Sequence, residues 1–264
     1  MDIYSITEPT NTTVPIVISV PHAGTYIPKD LEALFEPKML THLDDTDFFV
    51  DKLYSFATEM GITIIKANYH RWVIDLNRNP ESKPLYNDGR VITNLVPTTD
   101  FNGNNLYKDK VPTSKDIEDR IHKYYLPYHQ KIRDLINEKL DAFGKVLLFD
   151  AHSIRQIVPG IRKEPFPDLI LGNNDGKTAS SNVINATLEV LKSESYNVTH
   201  NTPFKGGQIT RSFGQPEKGI HALQLEMTKL NYMDDTETKY HPERAEKMQN
   251  LLKEMFTSLI KELQ

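Results

Sequence analysis

The sequence predicts an α/β protein, a layered sandwich around a buried sheet. Three observations predict it. Short apolar runs at Ile16–Val20, 145–149 and 222–225 show little polar alternation, as strands covered on both faces do. Segments with helical spacing lie between such runs. No Gly/Ser/Pro-rich linker divides the 264 residues, so one domain over 1–264 is expected.

In chain order, Ile16–Val20 is the first expected strand. Residues 44–59 read as a helix, with Phe49, Leu53, Phe56 and Ala57 at helical spacing and Asp44 or Asp45 as cap. Gly61 ends it, and 62–65 is the next strand. Residues 72–74 read as a short strand leading into a loop at 75–80, where Pro80 disfavours helix at Asn79. Residues 80–112, rich in Asn, Asp, Gly and Pro, read as a long surface excursion.

A long helix follows from Thr113 to about Leu140. Thr113 and Asp116 resemble a capping box, and Pro127 is a candidate kink. Strands are expected at 145–149, 169–171, 196–198 and 222–225, a helix at 178–192, a turn at Gly206-Gly207, and a terminal helix over 241–263.

Composition removes several chemistries. There are no cysteines, hence no disulfide, thiolate nucleophile or Cys-ligated metal. The formal charge of −5 and pI near 6.0 argue against a dedicated nucleic-acid binder, yet leave room for an anionic ligand held by local arginines. The N-terminus lacks a basic stretch followed by an apolar one, and no apolar run nears the roughly 18 residues of a membrane span. A cytoplasmic protein with neither membrane nor nucleic-acid partner is the expectation. A Gly-x-Ser-x-Gly elbow, a phosphate loop and a dinucleotide-binding glycine pattern are all missing.

What remains is chemistry at expected strand ends. His22 follows the first strand and sits between Pro21 and Gly24. It reads either as a rigidly held ligand or as a turn histidine bonded to backbone. His152 follows the 145–149 strand with Asp150 two residues before it, a ligand backed by a carboxylate or a residue of a capped turn. Asp44, Asp45 and Asp47 suit a helix N-terminus, but one of them would complete a His, Asp, His set for zinc with a position left open. Asn77-Arg78, Arg71 and Arg211 offer donors to a carboxylate, with surface ion pairs as the plain alternative. Glu226 ends the last buried strand, as a general base or a salt-bridged strand-end residue.

Six segments in order together resemble the N-formylglutamate amidohydrolase family. They are Ser19-Val-Pro-His-Ala-Gly24, Asp45-Thr-Asp-Phe-Phe-Val50, His70-Arg-Trp-Val-Ile-Asp-Leu-Asn-Arg-Asn-Pro80, Asp150-Ala-His-Ser-Ile154, Phe204-Lys-Gly-Gly-Gln-Ile-Thr-Arg211 and Gly219-Ile-His-Ala-Leu-Gln-Leu-Glu226. The resemblance implies a three-layer α/β sandwich with a central mixed, mainly parallel sheet, like that of zinc peptidases and aspartoacylases. It implies one zinc ion per chain, other divalent metals being admissible, held by His22, Asp47 and His152. The relatives' first ligand pair is His-x-x-Glu. Thr25 stands at that third position here and cannot ligate as an acid, so Asp47 is preferred, ahead of Asp45. Glu226 is the implied base. Asn77 and Arg78 are implied to bind one carboxylate of a small dicarboxylate substrate, with Arg211 or Arg71 on the other. The implied reaction is hydrolysis of N-formyl-L-glutamate. A hydrolase of the same fold with another acyl substrate and a non-catalytic binding protein are the rivals.

Overall fold

A computed structural model of the protein describes residues 1–81 and 93–264. Seven strands form one sheet: β1 (Tyr4–Thr7), β2 (Ile16–Val20), β3 (Thr63–Ala67), β4 (Val146–Ile154), β5 (Leu169–Gly172), β6 (Val198–His200) and β7 (Ile220–Thr228). Their order is β1-β3-β2-β4-β7-β5-β6. The β3-β2-β4-β7 centre is parallel, β1 and β5 join it antiparallel, and β6 runs parallel to β5.

Among the described residues, eight α-helices accompany the sheet: α1 (Lys29–Glu32), α2 (Pro37–Leu40), α3 (Val50–Leu53), α4 (Ser114–Arg120), α5 (Leu126–Phe143), α6 (Ser181–Leu191), α7 (Gln208–Phe213) and α8 (Pro242–Glu262). Strand alternation sorts the core into two layers. Ile16, Ile18, Leu147, Phe149, Leu223 and Leu225 face α3, α6 and α8. Val17, Val146, Leu148 and Ala222 face Tyr128, Ile132 and Leu135 of α5 and Ile209 of α7. The result is a three-layer sandwich with a mixed, mainly parallel sheet.

Several expectations change. The helix expected over 44–59 is broken by Phe49, which adopts φ 63, leaving α3 and a 3-10 turn at Ser55–Met60. Residues 44–47 are instead drawn to the centre of the molecule, where the Asp47 N–H donates to His22 O at 3.0 Å. Residues 72–74 form a buried turn, not a strand. His70 Nδ1 accepts the Trp72 N–H and Asp75 Oδ1 accepts the Asn77 N–H, so side chains replace the ladder a strand would need. Thr113 and Asp116 do form the capping box. Pro127 does not break the helical run, because a π turn over Ile121–Tyr125 precedes it and the Leu126 N–H reaches Ile121 O. Residues 82–92 of the expected excursion lie outside the described residues. Of its later part, Leu95, Val96, Leu106 and Tyr107 are buried against the α5 layer rather than lying on the surface.

The two longest strands set the site. β4 and β7 pair over nine residues, whereas β2 pairs with β4 only as far as Ser19 opposite Asp150. The ends of β4 and β7 therefore run on beyond β2. His152 and Glu226, expected just past strand ends, lie inside these extensions and face each other in register. The apolar runs that signalled the strands stop earlier because polar residues continue the strand where it lines a site.

Candidate metal centre

His22 follows β2 in a loop pressed against residues 67–69. A Cβ at Gly24 would stand 2.6 Å from Ala67 O and from Tyr69 O, so only glycine permits this approach. Within it, His22 Nε2 meets Asp75 Oδ1 at 2.8 Å, while its buried Nδ1 has no hydrogen-bond partner among the described residues. His152 is arranged alike. Its Nε2 lies 3.0 Å from Asp150 Oδ2, and its Nδ1 lies 3.1 Å from Asp47 Oδ2. Asp47 Oδ2 is 3.8 Å from His22 Nδ1. One atom from each of His22, Asp47 and His152 falls within a 4.8 Å set, and all three residues are buried.

This group could hold a metal ion. A carboxylate behind Nε2 keeps the proton on that nitrogen and leaves the Nδ1 lone pair for a cation, an arrangement that recurs around metal-ligating histidines. Two imidazoles and one carboxylate are an N,N,O set suited to zinc and similar divalent ions. An orphaned buried imidazole nitrogen is costly unless something pairs with it.

Charge follows the same pattern. Burial and then Arg71 hold His22 below its ordinary pKa. Burial also opposes charge on His152, but Asp150 and Asp47 outweigh it and raise His152 well above the usual value. Asp47 stays below the ordinary carboxylate range, since the two histidines overcome the cost of burial. Asp75 lies well below it, because Arg71, His22 and Arg78 outweigh burial.

The remaining expected residues take distinct places. Asp45, the alternative ligand, accepts from Trp72 Nε1 at 2.8 Å and from the Phe101 N–H at 3.2 Å; it neither joins the ligand set nor caps a helix. Arg71 is buried, donates to Asp75 Oδ2 at 2.6 Å and packs over the Phe101 ring. It thereby pairs with the carboxylate behind His22. Asn77 lies at the same place: its amide nitrogen donates to Asp150 Oδ2 at 3.0 Å and stands 2.9 Å from His152 Nε2, and its oxygen accepts the Ile209 N–H at 2.8 Å. That side chain ties β4 and α7 together beside the metal-binding candidates.

Arg78 is half-buried. It donates through Nε to Thr93 O and through NH2 to Thr93 Oγ1, both at 3.2 Å, and stands 3.9 Å from Asp75. Arg211 lies on α7, with Nε donating to Gly206 O at 2.8 Å. Glu226 keeps part of its surface accessible. Burial pushes its carboxyl up to about 8, with His152 and Arg71 pulling the other way. A bound dication would draw that value down.

The expectations omitted Asp75 as the partner of His22, although its place four residues after Arg71 and three before Arg78 is a signal of a shared carboxylate. Gln224 was also missed. It shares a face of β7 with Glu226, two residues on, and accepts the Gly207 N–H at 2.7 Å.

Comparison with known proteins places these features in a wider group. A sequence model described as N-formylglutamate amidohydrolase matches residues 14–233. The N-formylglutamate deformylase of Pseudomonas aeruginosa is 38% identical over 253 residues, which are 94% of this chain and 93% of that protein. The Pseudomonas putida deformylase is 36% identical over 252 residues, 94% of this chain and 92% of that protein. Among solved structures, an N-formylglutamate amidohydrolase from Ralstonia eutropha superposes with a TM-score of 0.80 at 24% identity, covering 100% of this chain and 97% of the other. A gene product of Agrobacterium tumefaciens gives 0.75 at 18% identity, over 98% and 96% of the two chains. The last two show a shared fold.

Proposed function

The chain belongs to the N-formylglutamate amidohydrolase family, and from that premise we propose that it hydrolyses N-formyl-L-glutamate to formate and L-glutamate. The observation that carries this reading is the buried His22–Asp47–His152 group with a carboxylate behind each imidazole. The same group, on a mixed sheet, supports kinship with zinc peptidases. In this reading the three residues hold one zinc ion, or another divalent ion in its place. When bound, such an ion supplies a Lewis acid that polarises the formyl carbonyl and acidifies water.

The chain's own residues do the rest. Asp75 and Asp150 fix the imidazole rings, and Arg71 holds Asp75 charged. Glu226, in register with His152, takes the proton of the attacking water and hands it to the departing nitrogen. Water oxygen is joined to the formyl carbon, the C–N bond breaks, and the amine leaves protonated. Arg78 binds one substrate carboxylate and Arg211 the other, each offering a planar cation suited to a carboxylate. A dicarboxylate is thereby preferred to a neutral acyl amide.

The test is formate release from a panel of N-acyl amino acids, including N-formyl-L-aspartate, with and without a chelator. Fastest turnover of N-formyl-L-glutamate, lost with chelator and restored by zinc, is expected. Glu226→Gln should keep the metal and lose about 10²- to 10⁴-fold in kcat. Near-full activity of Glu226→Gln would refute its role, and a faster panel member would refute the substrate.

A further inference from the structure

Three successive carbonyls, of Leu76, Asn77 and Arg78, are each held from outside their own segment. His129 Nε2 meets Leu76 O at 2.8 Å, the Gln208 N–H donates to Asn77 O at 3.2 Å, and the Tyr125 hydroxyl donates to Arg78 O at 3.1 Å. Loop carbonyls commonly turn to water, so three protein donors in a row mark a segment held in one conformation.

Two of the donors belong to one helical face. Tyr125 and His129 are four residues apart, the spacing that stacks side chains on a helix. Their rings lie 4.0 Å apart at 15°, and His129 continues onto Phe213 of α7 at 5.8 Å and 21°. Tyr125 ends the π turn, a helical irregularity often found at functional sites. Burial keeps His129 neutral, with its pKa pushed down to about 4. Opposite a carbonyl, its Nε2 therefore carries the proton and donates. Neither residue belongs to the ligand set, and the segment they hold presents Arg78.

We propose that Tyr125 and His129 are positioning residues that fix the Leu76–Arg78 backbone so that the Arg78 guanidinium meets a substrate carboxylate in one orientation. The proposal rests on the reading of Arg78 given above. It makes binding, not bond cleavage, the step that depends on this helical face.

A double-mutant cycle tests it. KM and kcat are measured for the wild type, Tyr125→Phe, Arg78→Lys and the double variant. The substrate is whichever N-acyl amino acid the wild type hydrolyses best, so a wrong substrate shows in the wild-type panel and a wrong positioning role shows in the cycle. Tyr125→Phe should raise KM about three- to ten-fold, the worth of one uncharged hydrogen bond, with kcat nearly unchanged. In the Arg78→Lys background the same change should raise KM by less than about two-fold, because the guanidinium it positions is gone. Equal rises in both backgrounds, or a fall in kcat at unchanged KM, would overturn the proposal. His129→Gln keeps a donor for Leu76 O and should stay near the wild-type KM, whereas His129→Leu should raise it. If both raise KM equally, the donor is not what matters and His129 falls out of the proposal. Should His129→Leu fail to fold, the Tyr125→Phe cycle decides alone.

Discussion

Replacing Asp75 with asparagine should cripple metal binding without touching a ligand. Both Asp75 oxygens are acceptors: Oδ1 for His22 Nε2 at 2.8 Å and the Asn77 N–H at 2.9 Å, Oδ2 for Arg71 at 2.6 Å. An asparagine amide has one acceptor and one donor. If its oxygen faces His22, its NH2 faces the Arg71 guanidinium; turned over, it faces the His22 N–H. Either way two donors collide, and the buried Arg71 charge loses the carboxylate it pairs with. Breaking a buried ion pair costs about 3–5 kcal/mol. In a chain of this size that lowers the melting temperature by roughly 10 °C. Loss of a carboxylate behind a ligating histidine typically weakens metal affinity about 10- to 100-fold. Zinc affinity, measured by competition with a chromophoric chelator at a temperature where the variant is folded, and thermal unfolding of the metal-free protein report the two effects separately. An Asp75→Asn protein with zinc affinity within two- or three-fold of wild type would refute the orienting role of Asp75. An unchanged melting temperature would refute the buried pairing with Arg71.

Three further outcomes follow from the same geometry. Asp47→Asn should lose stoichiometric metal, while Asp45→Asn should retain it, since Asp45 is bound to Trp72 and Phe101; elemental analysis of the purified variants decides. Gly207→Ala would put a Cβ 2.5 Å from the Asn77 side-chain amide and should cost about 1–3 kcal/mol in denaturant unfolding; a stability equal to wild type would show that the amide yields freely. His129, with its pKa near 4 when folded against an ordinary 6.5, makes a contribution fully present above pH 6.5 that is lost as pH falls towards 4. Over that window the wild type should lose roughly 3 kcal/mol more than His129→Gln. Equal losses would mean that His129 takes up protons when folded.

The sheet and the two histidines of the buried group were legible because each carries a local signal. Uninterrupted apolar runs mark buried strands, and His22, His152 and Glu226 stand just after such runs. The same signal misplaced strand ends. Asp150, His152 and Glu226 continue β4 and β7, but polar residues that line a site look like the start of a loop. The helix expected at 44–59 failed for a related reason. Its helical spacing is genuine at Leu53, Phe56 and Ala57, yet Asp45 and Asp47 are claimed by partners far along the chain, and Phe49 takes a left-handed conformation to allow it. Residues 72–74 are apolar because they are buried in a turn, and periodicity over three residues cannot separate that from a strand. Arg71 and Asn77 read as substrate donors because their residue types suit the task. Only the packing shows that each also donates to a carboxylate behind a histidine, Asp75 and Asp150.

The register of β7 against β4 carries a consequence for reading related chains. Glu226 stands beside His152 because it lies six positions after Ile220, which pairs with Val146. Deleting or inserting one residue between these points would turn Glu226 to the opposite layer, facing the apolar core of α6 and α8, and would flip every β7 residue beyond the change with it. Such a chain would still hold every residue of the centre and pass any inventory of them. The His22, Asp47 and His152 group lies outside β7 and would be left intact. On the role proposed above for Glu226, spacing within this one strand would then separate a hydrolase from a look-alike with the same buried group.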